Sequence, residues 1–468
     1  MAQETRFGVR YGRQQQSSRV EGGHVRKEPA TIGLFSAVIL VFTTMVGAGV
    51  FTTTGQFAAD LGSPLAVLAA WLVAALFAIT GALTLGELGA MLPSSGGEYI
   101  YFKRAYGNQA GFVGGILVGL LSWPVGGAFV SRTIGVHFHD LFPAVSTEIA
   151  STIAIVGLSL VHVRGLHFGA TFNNITSLAK VCLLLAFIIG GFVVTGGHFA
   201  ANPGEADVPE GIDLGIGILF ASLMAGFAYA GYGAIVLISS EVRNPQKTLP
   251  RAMIFAVGAV TLLYLLVNVV FLSALSPQEM VTDTGEGITD LGTVTAKRLF
   301  GDKVAGAFDL VFVVLVLSTL SAVIQVASRV TWAMAKRGDL PAVMEKLNSR
   351  GAPRNCLLLQ GSILLALTLL CETKELLILN GVVVLLISLP TALAVFVLRV
   401  KEPKLHRPFR VPLYPWVPLV NLGLSGAIGV SIMKENSWLG VGALAALLLL
   451  WGLRPLLQQG KEANGKEG

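Results

Sequence analysis

The sequence predicts an all-helical polytopic membrane protein with twelve spans. Three observations carry this prediction: only 13% of residues are charged, the mean hydropathy is +0.72, and the basic residues divide unequally between alternate loops. Soluble domains hold about 25% charged residues. A globule of 468 residues lacks the interior to hide a 53% hydrophobic content, so lipid must be part of its solvent. The 55 glycines suit close helix packing and broken helices in a membrane. Cys182, Cys356 and Cys371 lie in or beside apolar stretches without metal-ligand spacing, and they read as inert small hydrophobes.

A membrane-crossing helix needs about 20 mostly apolar residues. Candidates run over roughly 32–54, 63–91, 109–135, 148–163, 171–195, 213–240, 251–275, 304–335, 355–372, 376–398, 413–433 and 437–454. The 148–163 stretch is the shortest. Residues 1–31 are polar and basic, with no cleavage-site pattern ending the first apolar stretch. They read as a retained cytoplasmic tail, matched by a second at 455–468. With both termini inside, the inner loops and tails receive 26 of the 33 Lys and Arg and the outer loops five. The positive-inside rule therefore fixes the expected orientation in a cell membrane. It also accounts for the net charge of +6 without a nucleic-acid partner. The long outer loop 196–213 carries only acidic charges, Glu205, Asp207, Glu210 and Asp213.

Span one holds Gly47-Ala48-Gly49 and span six holds Gly231-Tyr232-Gly233, both pairs offset by 184 residues. Five spans separate the two sites, so they cross in opposite senses. This is the pattern of an inverted repeat with a glycine-interrupted helix in each half. A broken helix frees N–H and C=O groups that lipid cannot satisfy, so it persists only where it lines a cavity or meets a ligand. Half-helix N-termini suit a carboxylate and freed carbonyls suit an ammonium. Two facing breaks thus make a clamp for an amino acid zwitterion. Simple close packing of small residues is the alternative.

Five motifs, in this order and spacing, resemble the amino acid–polyamine–organocation superfamily of amino acid permeases. They are Met45-Val46-Gly47-Ala48-Gly49-Val50-Phe51, then Glu87 to Pro93 with Ser95-Gly96-Gly97-Glu98-Tyr99, then Phe227 to Tyr232, Glu241 to Lys247, and Arg407 to Pro412. The resemblance implies a LeuT-type fold of five-plus-five inverted repeats plus two C-terminal helices. The repeats would occupy 32–200 and 201–400, and the last two helices 401–454. It implies that amides around Gly47, Ala48 and Gly49 hold the substrate carboxylate. Carbonyls of Met45, Phe227, Ala228 and Ala230 would receive the ammonium beside Gly231, with Phe227 as an aromatic lid. Two departures stand out. Arg337 occupies a position that is acidic in many relatives, and Tyr232 replaces the Trp of some carriers of large neutral amino acids.

Lys180 lies about nine residues into span five, roughly 14 Å deep at 1.5 Å per residue. A charge there costs about 2.5–3.5 kcal/mol or more, and that depth makes snorkelling to the interface difficult. A lysine that sheds its proton in one conformation is a coupling element. In relatives with a lysine at this place, its ammonium resembles a substitute for a bound sodium ion. Candidate partners are Val46, Gly47, Thr319 and Ser321, although Ser and Thr often bond only their own helix. Glu87 reads as a structural partner for a basic residue or inner-loop backbone. Arg132 reads as a snorkelling residue, and Trp123-Pro124 as a kink or a piece of pocket wall.

The expected function is secondary transport of L-amino acids by alternating access, by symport or antiport, with proton coupling through Lys180. Span three carries no acid, which favours neutral substrates. Alternatives are an obligate exchanger, a carrier of polyamines or cationic amino acids, and a nutrient-sensing receptor. No phosphate-binding loop, nucleophile–base–acid set or metal-ligand spacing stands out, so no enzyme activity and no cofactor are expected.

Overall fold

The computed structural model describes residues 32–200, 211–435 and 451–452. Both tails, most of the acidic loop and nearly all of the expected twelfth span lie outside the described residues. The described residues are helical, with two isolated β-bridges and no strands.

The first span is two helices, α1 (Leu34–Met45) and α2 (Gly49–Leu61), bent by 47° at their junction. Gly62 ends α2 in the left-handed region at φ 59°, and Pro64 then opens α3 (Pro64–Met91) from its first turn, where a missing N–H costs nothing. The short α4 (Glu98–Tyr106) precedes α5 (Asn108–Leu141), whose ladder relaxes to a π-turn over Leu117–Ser122 just before Trp123-Pro124. The π-turn frees the Gly119 carbonyl, which accepts a hydrogen bond from Gln360 Nε2 at 2.5 Å. There follow α6 (Thr147–Arg164), α7 (Leu166–Thr195) and α8 (Gly211–Ala228). A turn over 229–233 leads into the four-residue α9 (Ala234–Leu237). The rest of the chain forms α10 (Pro245–Ala274), α11 (Leu291–Phe300), α12 (Asp302–Lys336), α13 (Arg354–Leu370), α14 (Thr373–Lys401) and α15 (Trp416–Glu435).

Seven of these helices are long and apolar enough to cross a membrane, or eight when α1 and α2 count as one span. The expected span 213–240 appears as a shorter apolar stretch, Asp213–Gly226, because the chain breaks after Ala228. The expected span 355–372 is the 17-residue α13. Large apolar side chains with no cover from the chain line α6 (Ile149, Ile153, Leu160) and α7 (Ile175, Leu178, Ile189, Val193). In water such surfaces would aggregate, whereas in hydrocarbon they cost nothing. The protein is an integral membrane protein.

Around the two broken helices, α10 packs on α1, α3 on α8 and α12 on α1, with α5 packed in turn on α12. Glu87 near the end of α3 is buried and takes a two-pronged pair from Arg399, Nε to Oε1 at 2.9 Å and Nη2 to Oε2 at 2.6 Å. It also accepts the Val411 amide at 2.7 Å. Arg132 does not snorkel. Its Nη1 donates to the carbonyls of Thr368 at 2.8 Å and Cys371 at 3.1 Å, because the end of α13 offers orphan acceptors within reach. Arg337 finds neutral partners, the Ser94 hydroxyl at 2.5 Å and the Ala333 carbonyl at 3.1 Å. The acidic role in that loop falls to Asp339, which accepts from Tyr99 Oη at 2.6 Å and pairs with Lys103 at 3.2 Å.

Candidate functional site

The glycine pairs stand at the two breaks, and the breaks face each other. Residues 46–48 separate α1 from α2, with Val46 in an extended conformation at ψ 97°. Opposite, Gly231 sits at φ 109°, where a side chain is strained. A Cβ there would come within 2.7 Å of the Thr44 carbonyl oxygen. Gly49 is as crowded, since its Cβ would approach Ala228 Cβ to 2.6 Å. Thr44 Oγ1 donates across the junction to the Gly231 carbonyl at 3.1 Å. The two breaks are therefore pressed backbone to backbone, which only glycine permits.

A cavity of about 100 Å³ opens beside them. Met45, Gly47, Ala48, Gly49, Ala228, Ala230 and Gly231 all contribute to its wall. The first turn of α2, beginning at Gly49, has amides without intrahelical acceptors and carries the positive end of that helix dipole. The last turn of α8, ending at Ala228, supplies carbonyls and the negative end. Opposite dipole ends thus meet at one cavity. The backbone of Phe227 lies in that last turn, while its side chain lies outside what the structure describes.

Gly47 differs from its neighbours. A Cβ there would meet nothing closer than Thr319 Cγ2 at 3.6 Å. It borders the cavity, with Thr319 of α12 at ordinary contact distance. The remaining wall comes from Thr44 on α1, Ser122, Trp123, Gly126, Phe129 and Val130 on α5, Thr319 and Val323 on α12, and Asn380 and Val384 on α14. No charged side chain is among them. Trp123 is therefore pocket wall, and the π-turn beside it supplies the distortion expected of the Trp-Pro pair. Tyr232 does not face this cavity. It lines a neighbouring one of about 120 Å³ with Glu98, Gly81 and Asn421.

Lys180 is fully buried on α7, and its Nζ donates to three acceptors. These are the Thr43 carbonyl at 3.2 Å, the Val46 carbonyl at 2.5 Å and Thr319 Oγ1 at 2.7 Å. Thr319 in turn donates to the Val46 carbonyl at 2.9 Å. The ammonium thus holds the end of α1 to α12 at the break. Ser321 does not join this group. Two residues along a helix is a turn of about 200°, so Thr319 and Ser321 cannot face the same point. Ser321 Oγ lies instead 2.9 Å from His162 Nε2.

One residue absent from the sequence-based set sits at the centre. Tyr264 of α10 is fully buried, with its hydroxyl oxygen 3.0 Å from the Met45 carbonyl and 2.9 Å from that of Ala228. Its one proton is shared between the two broken helices. Trp71 and Tyr229 pack edgewise on it with centroids 5.2 Å away. The carbonyls of Met45 and Ala228 therefore already accept one donor, and a ligand ammonium would use their second lone pairs.

A family model for amino acid permeases matches residues 32–450. The chain belongs to this family. It is an amino acid permease of the amino acid–polyamine–organocation superfamily by sequence, and its relatives are transporters rather than enzymes. It is 28% identical over 450 residues to the serine/threonine exchanger SteT of Bacillus subtilis, covering 93% of this chain and 98% of that protein. It is 29% identical over 411 residues to the large neutral amino acids transporter small subunit 2 of Oryctolagus cuniculus (85% and 74% coverage). It is 28% identical over 430 residues to the Asc-type amino acid transporter 1 of Mus musculus (89% and 79%).

Proposed function

We propose that this permease carries small neutral L-amino acids across the cell membrane by alternating access. Both termini would lie in the cytoplasm, on a twelve-span, five-plus-five inverted repeat with two C-terminal helices. The observation that carries the reading is the cavity where the N-terminal turn of α2 meets the C-terminal turn of α8. One end matches a carboxylate and the other an ammonium, and an α-amino acid presents both on one carbon. Amides of Gly47, Ala48 and Gly49 take the carboxylate. Carbonyls of Met45, Phe227, Ala228 and Ala230 take the ammonium.

Size and polarity narrow the substrate. At ~30 Å³ per water, a cavity of about 100 Å³ holds on the order of three waters, enough for a small amino acid and too little for an extended polyamine. Its uncharged wall offers no partner for a cationic or acidic side chain, while Asn380 and Ser122 offer polar contacts. The exchanger and carriers of neutral amino acids among the relatives support the same class. Lys180 occupies the place where a cation is otherwise wanted between α1, α7 and α12, which supports proton rather than sodium coupling.

The test is uptake of a radiolabelled amino acid panel into proteoliposomes, with and without a pH gradient and with and without internal amino acid. Small neutral amino acids should enter, and their decarboxylated amines should not. Equal transport of an amino acid and its amine would remove the clamp. Uptake only against internal amino acid would make the protein an obligate exchanger.

A further inference from the structure

Away from the substrate cavity, three groups from distant parts of the chain converge. They are His137 near the end of α5, Asp290 at the start of α11, and Asp309 on α12. Each presents one ligand atom, and these atoms lie within 4.8 Å of one another. His137 Nδ1 is 3.5 Å from Asp309 Oδ1. The His137 side chain is only 7% exposed, its ring packs on Phe312 at 4.3 Å, and Nδ1 has no hydrogen-bond partner. A buried imidazole nitrogen without a partner is costly. Two carboxylates held beside it repel each other. The cluster is incomplete as it stands, and a cation would relieve both defects.

We propose that His137, Asp290 and Asp309 form a binding site for a zinc-class divalent cation that fastens α11 to α5 and α12. An imidazole with two carboxylates suits zinc, whereas calcium and magnesium ask for six or more oxygens. Metal bonds of about 2.0–2.2 Å in a tetrahedron place ligand atoms roughly 3.4 Å apart. The His137–Asp309 pair already stands at that spacing, and the remaining separations close by small side-chain rotations. Thr293 donates a hydrogen bond to Asp309 Oδ1, which orients that carboxylate as outer partners of metal ligands do. Solvent fills the fourth position. The site ties down the helix that rests on α2, since a Cβ at Gly292 of α11 would meet Phe51 at 2.9 Å. The proposal does not depend on the transport reading.

The experiment is isothermal titration of zinc chloride into the purified, chelator-treated full chain, paired with hydrogen exchange over residues 276–300. One ion per chain should bind, exchange across α11 should slow, and magnesium should do neither. Asp290→Asn should weaken binding at least tenfold. Asp290 makes no side-chain capping hydrogen bond to α11, and Asn is itself a favoured residue at this half-buried N-cap, so the fold is preserved. His137→Gln should do the same. Absence of zinc binding, or binding of equal strength in both variants, would overturn the site. Binding without slower exchange in α11 would overturn the fastening.

Discussion

Thr319 accepts a hydrogen bond from Lys180 at 2.7 Å and donates its own to the Val46 carbonyl at 2.9 Å, so one ammonium and one hydroxyl close a triangle on the break in the first span. The triangle joins α1, α7 and α12, so any relative movement of these elements in the proposed alternating access would have to break it. If Lys180 loses its proton in one state, it keeps at most two of its three donors, and the joint loosens. Lys180→Ala should therefore lose most uptake while retaining part of its substrate binding. Wild-type uptake should be sodium-independent and should rise as the outside is acidified. Normal uptake by Lys180→Ala with an unchanged pH profile would reduce the residue to a structural strut.

The glycines at the breaks separate into two kinds, and single methyl groups tell them apart. At Gly231 an added Cβ meets the Thr44 carbonyl at 2.7 Å in a strained conformation that costs about 1–3 kcal/mol by itself. At Gly47 the same group makes an ordinary van der Waals contact with Thr319 Cγ2 at 3.6 Å and borders the cavity. Gly231→Ala should melt measurably lower. Gly47→Ala should melt like wild type and bind substrate at least tenfold more weakly. Thermal unfolding beside a binding titration on both variants checks this, and unaltered affinity in Gly47→Ala would take the residue out of the substrate site.

Tyr264→Phe removes one oxygen and nothing else. The Met45 and Ala228 carbonyls then lose their shared donor on the side packed against α10, at a cost of roughly 1–3 kcal/mol for acceptors left unpaired there. The two broken helices would no longer be bridged through α10. Uptake should fall about tenfold or more, a change of ~1.4 kcal/mol in the barrier, while the protein remains folded. A melting temperature that drops without any loss of uptake would make the hydroxyl a simple carbonyl cap.

What the sequence disclosed and what it withheld follow from range of interaction. Gly47 and Gly231 were legible because a helix break is written locally, in residues that free the backbone, and the matched offset linked the two. Lys180 was legible because an isolated charge in a long apolar run has few explanations. Tyr264 and Asn380 were not, since each is one polar residue in a span, and only the packing of α10 and α14 decides which face looks inward. Ser321 was misplaced for the converse reason. Thr319 and Ser321 offer the same hydroxyl to a sequence reading, and only the turn of the helix sends Ser321 to His162. Depth alone points Arg132 toward the interface, whereas the end of α13 offers it carbonyl acceptors at 2.8 and 3.1 Å. His137, Asp290 and Asp309 show no metal-ligand spacing because three separate elements bring them together.

Glu98 gives the protein a stability that depends on pH near neutrality. It opens α4, outside the spans, and it is buried at the edge of the second cavity, where its Oε2 has no hydrogen-bond partner. Desolvation by burial pushes its carboxyl up from 4.5 to about 7, against a smaller lowering from its own backbone amide. The folded state therefore holds this proton more tightly than the unfolded chain does. Its contribution to stability is fully present below about pH 4.5 and is lost as the pH rises through about 7. A shift of this size corresponds to roughly 3 kcal/mol between those limits, at about 1.4 kcal/mol per unit. Melting temperature measured in detergent from pH 5 to pH 8 should fall between pH 5 and about pH 7 in wild type and level off above that. Glu98→Gln, which stays neutral and keeps the shape of the protonated acid, should flatten that fall and melt higher than wild type at pH 8. If the two profiles run parallel, Glu98 is already ionised in the folded protein at pH 5 and a partner for its charge must exist.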